Sequence, residues 1–331
     1  MTPARTPTDP EGSMRDLDEQ QHAAPGAAPP AEQPSYSQGR LVRRRFLRHR
    51  GAMISLGVLV LVALLAFTSI GIGPLPGWWP HDYVRAGDLV NGGRPTLQLW
   101  PPSPGEHPFG QDTTGKDYFA LVMRGTQRSL IIAVGVGLVS TIIGTVIGAL
   151  AGFYRGWVEA LLMRVTDVFI VIPLLVLAAV LGQMGGRSIW LLTLLLGAVT
   201  WTGLARLVRG EVLSLRERDF VSAARAVGTG SVRTIVTHVL PNCVGVVIVS
   251  ATLAVASAIL LETSLSFLGF GVQAPDTSLG LLISDYQQAF TTRPWLFWWP
   301  GVLILAIALA VNFLGDGLRD AFDPRQNRTA D

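Results

Sequence analysis

The stretch SLIIAVGVGLVSTIIGTVIGALAGFY, Ser129 to Tyr154, contains no Asp, Glu, Lys or Arg. A helix of roughly 20 apolar residues covers the ~30 Å of hydrocarbon in a bilayer, so this segment predicts a membrane-crossing helix. It also carries Gly144, Gly148 and Gly152 at a spacing of four. That spacing puts all three on one helical face, where small residues let another helix approach closely. Five further windows lack every charged residue: 51–81, 168–186, 188–205, 234–261 and 294–315. The expected fold is therefore an all-α membrane protein with six transmembrane helices, near 52–72, 129–152, 166–183, 188–206, 242–264 and 296–315.

Composition agrees with that reading. Of the 331 residues, 49% are apolar and 15% charged, with a mean hydropathy of +0.42. A soluble globular chain carries about 25% charged residues to cover its surface. One cysteine, Cys243, and five scattered histidines leave no CxxC pair and no HExxH. A disulfide scaffold, a structural zinc site and a zinc protease motif are thereby set aside, and Cys243 reads as a small buried residue. His81 and His107 stand too far apart in sequence to indicate a metal site. The net charge of +3 comes from arginines beside apolar runs, which fits membrane topology better than nucleic acid.

Residues 1–39 are rich in Pro, Ala and Gln and hold Asp9, Glu11, Asp16, Asp18 and Glu19. Such a segment buries too little apolar surface to offset its ordering entropy, and it has no apolar core of a signal peptide. It is expected to be a disordered cytoplasmic tail, followed by a membrane domain over 40–326 and a C-terminal tail over 327–331. Arginines cluster at 40–50, at Arg155 and Arg164, over Arg206–Arg233, and at Arg319, Arg325 and Arg328. The positive-inside rule then predicts both termini in the cytoplasm, an extracytoplasmic loop over 73–128 and a cytoplasmic loop over 206–241. Trp78, Trp79, Trp157, Trp295, Trp298 and Trp299 lie beside the predicted helix ends, where indoles prefer the headgroup region.

Gly110-Gln-Asp-Thr-Thr-Gly115-Lys116 fits the first seven positions of a phosphate-binding loop, but Asp117 follows where Ser or Thr should meet magnesium. No apolar strand precedes it, and a carboxylate there repels phosphate. If ATP is used, another chain binds it.

The loop over 206–241 contains Asp219-Phe-Val-Ser-Ala-Ala-Arg-Ala-Val-Gly228, then His238-Val-Leu-Pro241. Asp219 is placed to cap a short helix, Phe220, Val221, Ala223, Ala224 and Val227 give it an apolar side, and Gly228 supplies a left-handed C-terminal cap. Such a helix has a face suited to a groove.

These residues resemble the EAA loop of permease subunits in ABC importers, with Ala223, Ala224, Gly228, Leu240 and Pro241 on the family's motif positions and Ser222 in place of the usual Glu. His107-Pro-Phe-Gly-Gln-Asp112, Leu161-Leu-Met-Arg-Val-Thr-Asp167, Arg216-Glu-Arg-Asp-Phe220, Glu262-Thr-Ser-Leu-Ser-Phe-Leu-Gly-Phe-Gly271 and Gly315-Asp-Gly-Leu-Arg-Asp-Ala-Phe-Asp-Pro324 are similar to the dipeptide, oligopeptide and nickel importer family, C-type permease branch, over residues 40–326. The resemblance implies a type I importer permease fold that works beside a sibling B-type permease, two cytoplasmic ATPase subunits holding ATP and Mg, and an extracytoplasmic peptide-binding protein. It implies no cofactor and no catalytic site on this chain. Coupling to the ATPase would fall to Phe220, Ser222, Ala223, Ala224, Arg225, Gly228, Leu240 and Pro241.

Glu262 and Pro173 are candidates for the pathway or a gate, because an ionisable group at membrane depth and a proline inside a helix both invite a functional reading. Glu262 could equally be held in place by structural partners. Asp167 has Arg164 three residues earlier on the same face, which suggests a local ion pair. Peptide transport is preferred, with nickel or another small solute as the alternative within the family. A standalone channel or proton-coupled carrier calls for charged groups deep in several helices, and an intramembrane enzyme needs a nucleophile or metal constellation; the apolar windows hold neither.

Overall fold

The His49 imidazole accepts the Ala52 amide at 3.0 Å, so it closes one helix and opens another. The computed structural model describes residues 38–98, 103, 105–185 and 187–322. The expected tails, over most of 1–39 and over 327–331, lie outside the described residues, as do Arg325 and Arg328. The chain divides between Leu41 and Val42, and every element after the first helix belongs to the second unit. Helix α1 is Gln38–Arg48 and α2 is Arg50–Ser69. A hairpin of β1 (Gly71–Ile72) and β2 (Leu75–Pro76) pairs antiparallel after it.

Helix α3 runs from Tyr118 to Tyr154. It begins well before the expected position 129, inside the segment read as a loop over 73–128. Asp117 sets the start, its carboxylate accepting the Ala120 amide at 2.7 Å. Arg124 and Arg128 lie early in this helix, and both bind Asp276, at 3.0 and 2.6 Å. Their charge is answered by a residue far along the chain, so the helix continues through them. At ~1.5 Å per residue, α3 is much longer than a bilayer core is thick.

The next two expected helices are each broken. Helices α4 (Gly156–Val171) and α5 (Leu174–Gly185) meet at 89°, and α6 (Ile189–Gly197) and α7 (Thr202–Arg216) at 43°. Pro173 stands at the first break, where its carbonyl accepts the amides of Val176 and Leu177 and starts α5. Helix α7 extends to Arg216, into the segment read as a loop over 206–241. The short helices α8 (Asp219–Ala226) and α9 (Ser231–Thr234) follow, then a π-helical turn over Ile235–Val239 and α10 over Leu240–Phe267. The wider turn precedes Pro241, which has no amide to donate and whose ring would crowd a tighter helix. Helices α11 (Leu279–Tyr286) and α12 (Trp295–Phe322) complete the described chain. Among the described residues four helices are long and apolar enough to cross a membrane, and six spans result if each bent pair counts as one.

The glycine face of α3 packs on α7. A Cβ on Gly148 would stand 2.5 Å from the Ala205 carbonyl oxygen, and one on Gly144 or Gly152 would press on the backbone of Trp201 or Arg209. The absence of side chains therefore sets the distance between these helices. Elsewhere on α3, Val134, Leu138, Ile142 and Val146 repeat every four residues and remain exposed. An apolar stripe of this length needs a covering other than water.

The described residues among 71–117, with the α10–α11 and α11–α12 connections, form a cap around the start of α3. The would-be phosphate loop is filled by its own side chains: Asp112 accepts from the amides of Thr114 and Lys116, each at 2.8 Å, and from the Tyr286 hydroxyl at 3.0 Å. The Gln111 amide donates to the carbonyls of Asp88 and Gly115. Not every tryptophan is an outward anchor. Trp157, Trp78 and Trp298 are exposed, whereas Trp299 stacks on Phe109 with centroids 3.8 Å apart.

Candidate functional site

Helix α8 is amphipathic in a specific sense. Val221 and Ala224 point into the protein, where Val221 joins Phe153, Val212, Ile235, Val239 and Cys243 in a buried cluster. Phe220, Ser222, Ala223, Ala226 and Val227 point outward, with Phe220 41% and Val227 82% exposed. Phe220, Ala223 and Val227 fall at i, i+3 and i+7 on one helical face. Val232 and Val236 lie exposed on the segment that follows. The outcome is an apolar surface on a helix rooted in the bundle. The sequence grouped Ala223 with Ala224, but helical geometry turns them apart: Ala224, at 8% exposure, packs inward.

Both ends of α8 are determined locally. Arg218 precedes it without a side-chain cap bond, and Asp219 is its first helical residue, where a carboxylate favours the positive end of the helix dipole. At the other end Gly228 adopts φ +80°. The Thr229 amide then reaches the Ala224 carbonyl at 3.1 Å and the Gly228 amide reaches Arg225 at 2.9 Å, closing the helix as a left-handed glycine cap does. Nothing lies within 4 Å of a Cβ placed on Gly228, so its requirement for glycine is one of backbone conformation.

Arginines tie α8 to its neighbours. The Arg225 guanidinium lies 4.7 Å from the centre of the Phe153 ring, and Arg216 donates to the Phe153 carbonyl at 2.6 Å. On the same side Arg155 pairs with Glu217 at 3.3 Å, and Arg209 pairs with Glu159. Asp167 bonds Arg206 on α7 at 2.6 Å; the expected Arg164 pair gives way to a contact across the α4–α7 interface. Leu240 is half-buried and Pro241 exposed at the start of α10, and the Asn242 side chain donates to the His238 carbonyl at 2.6 Å.

Glu262 is fully buried. Its carboxylate accepts from Ser129 of α3 at 2.9 Å and from Ser266, one turn on, at 2.7 Å. Ser129 also accepts the Leu279 amide, and Ser278 donates to Ser266, both at 3.2 Å. One carboxylate thus joins α3, α10 and the first turn of α11, and a buried carboxylate so provided with donors is a structural tie. Pro173, at the α4–α5 break, is exposed, whereas Glu262 lies in the buried interior.

Residues 144–328 match the family described as binding-protein-dependent transport system inner membrane component, and residues 37–91 match the N-terminal TM domain of oligopeptide transport permease C. The oligopeptide transport system permease protein of Mycobacterium tuberculosis strain H37Rv is 42% identical over 290 residues, which is 87% of this chain and 95% of that protein. The protein of the same name from Haemophilus influenzae is 36% identical over 283 residues, 86% of this chain and 87% of its own. A solved methionine ABC transporter aligns at a TM-score of 0.47 and 18% identity, over 61% of this chain and 97% of its own. The chain belongs to the binding-protein-dependent transport system inner membrane component family. It is a multi-pass membrane permease.

Proposed function

We propose that the chain translocates short peptides into the cell as one of two permeases in an ATP-driven importer. Its relatives over nearly the whole length bear the name of oligopeptide transport, which supports the substrate class. In this reading six spans leave both termini and α8 in the cytoplasm. Two ATPase subunits supply ATP and Mg, a sibling permease completes the path, and a peptide-binding protein delivers cargo from outside. The chain itself performs no bond chemistry and needs no cofactor.

The observation that carries the reading is α8. Its inner face, Val221 and Ala224, is continuous with the core of α3, α7 and α10, while Phe220, Ala223 and Val227 stand free. A partner that moves the outer face moves the bundle with it. ATP and a docked binding protein bias the bundle only by the difference in their affinity for its two states. Arginine placement supports the orientation: Arg124 and Arg128, on the outer side in this reading, are answered by Asp276.

Deletion of the chain in a strain without a redundant importer tests the function. Uptake of short peptides as sole amino-acid source is expected to fail and nickel uptake to persist. Normal peptide uptake removes the peptide reading, and a selective nickel defect replaces it with the metal alternative.

A further inference from the structure

Asp117 does more than cap α3. Besides the Ala120 amide, its carboxylate accepts the Trp79 indole N–H at 3.0 Å and meets Nδ1 of His107 at 2.7 Å. A carboxylate only accepts, so the shared proton belongs to Nδ1 and the lone pair of the neutral ring belongs to Nε2. His107 is buried, and its amide is held by Thr96 Oγ1 at 2.9 Å. The ring is thereby fixed with one nitrogen available.

His81 comes to the same place from the other side of the cap. Its ring lies 4.6 Å from that of His107, centroid to centroid, and packs edge-on against Trp79 at 5.8 Å. Glu106, exposed, adds a carboxylate beside His107. One ligating atom from each of His81, Glu106 and His107 falls within 4.8 Å of the others. They border a cavity of about 510 Å³ that also receives Asp82 and Asp117.

We propose that His81, Glu106 and His107 form a binding site for a divalent transition cation, zinc in preference to calcium or magnesium. Two imidazoles and one carboxylate make a borderline-soft donor set, whereas calcium and magnesium take mostly oxygen. Ligands ~2.0–2.1 Å from a tetrahedral ion stand about 3.4 Å apart, so from separations within 4.8 Å closure requires about 1.4 Å of approach or less. Exposed Glu106 and half-buried His81 can supply it while His107 stays anchored. Asp117 is a positioning residue, in the carboxylate–histidine arrangement that orients metal-binding imidazoles. Water from the cavity fills the fourth place. A bound ion would clip the segment after β2 to the segment leading into α3 and brace the cap. The inference is independent of which solute is carried.

The test uses the full chain in lipid nanodiscs, without a polyhistidine tag and stripped with a chelator. Zinc, calcium and magnesium are titrated separately. One equivalent of zinc is expected to bind and to raise the apparent unfolding temperature, with no saturable calcium or magnesium binding. His81→Ala and Glu106→Gln, both outside the buried core, are each expected to weaken zinc at least tenfold while the metal-free unfolding temperature is kept. Wild-type protein that is folded yet binds no zinc overturns the proposal, and so does His81→Ala binding as tightly as wild type.

Discussion

Ser129 on α3 donates to Glu262 on α10 at 2.9 Å across 133 positions of sequence. The bond is fully buried, and the same serine receives the Leu279 amide. A charged residue that reads as a transport candidate in the sequence is thus a joint between three elements.

This yields a prediction about substitution. Glu262→Leu leaves the hydroxyls of Ser129 and Ser266 without their acceptor, at about 1–3 kcal/mol for each buried group left unpaired. Glu262→Gln keeps one acceptor and nearly the same volume. The apparent unfolding temperature in detergent is expected to fall markedly for Leu and modestly for Gln, with uptake following stability. A Gln variant as stable as wild type but inactive in transport would assign Glu262 a direct role in the path instead.

The glycine face gives a second, independent test. A side chain at Gly148 meets the Ala205 carbonyl at 2.5 Å and the Val208 Cβ at 2.8 Å, so Gly148→Leu must separate α3 from α7. Overpacking of this kind costs typically 1–3 kcal/mol or more. Gly57→Ala, where nothing lies within 4 Å, is the neutral comparison. Thermal unfolding of the two variants side by side is expected to show loss only at Gly148, and equal behaviour would deny the close approach.

How much of this was legible beforehand follows from the range of the forces involved. Apolar windows declare a helix at membrane depth because lipid acts on each residue separately. The left-handed cap at Gly228 was readable because it is local, and its φ of +80° agrees with the short-helix reading. The extension of α3 back to Tyr118 was hidden because Arg124 and Arg128 find their partner, Asp276, 152 positions away in the case of Arg124. For the same reason His81 and His107 read as unrelated until the cap brings their rings together. Asp167 chose Arg206 over the nearer Arg164, since the α4–α7 interface holds the pair face to face. The outward turn of Ala223 and the inward turn of Ala224 depend on where α8 packs, which its own residues do not state.

Orientation is open to direct measurement. In a Cys243→Ser background, Val232→Cys places a thiol on an exposed position beside α8, and Leu89→Cys places one on the exposed cap. In intact cells an impermeant maleimide is expected to label position 89, and position 232 only after permeabilisation. The reverse pattern would invert the topology and remove the ATPase from α8.

The Gly228 backbone supplies a prediction that separates strain from contact. Gly228→Val forces a β-branched residue to φ +80°, about 1–2 kcal/mol of backbone strain, and nothing around it needs to shift. The variant is expected to remain in the membrane with an intact core yet release the ATPases, because α8 no longer ends in the same direction. Ser222→Ala, on an exposed position, is expected to have a milder effect. ATPase co-purification and peptide uptake, measured on both variants, check this.

Whether the exposed face of α8 is the handle by which ATPases move the bundle is measured most directly by labelled-peptide uptake in cells carrying Ala223→Trp or Val227→Asp. Both positions are exposed, so the fold is left intact, while each change spoils a packed interface by about 2 kcal/mol or more, roughly 30-fold in affinity. Uptake is predicted to fall at least tenfold with normal protein in the membrane and with little ATPase co-purifying. Wild-type uptake by both variants, with the ATPases still bound, would contradict that role.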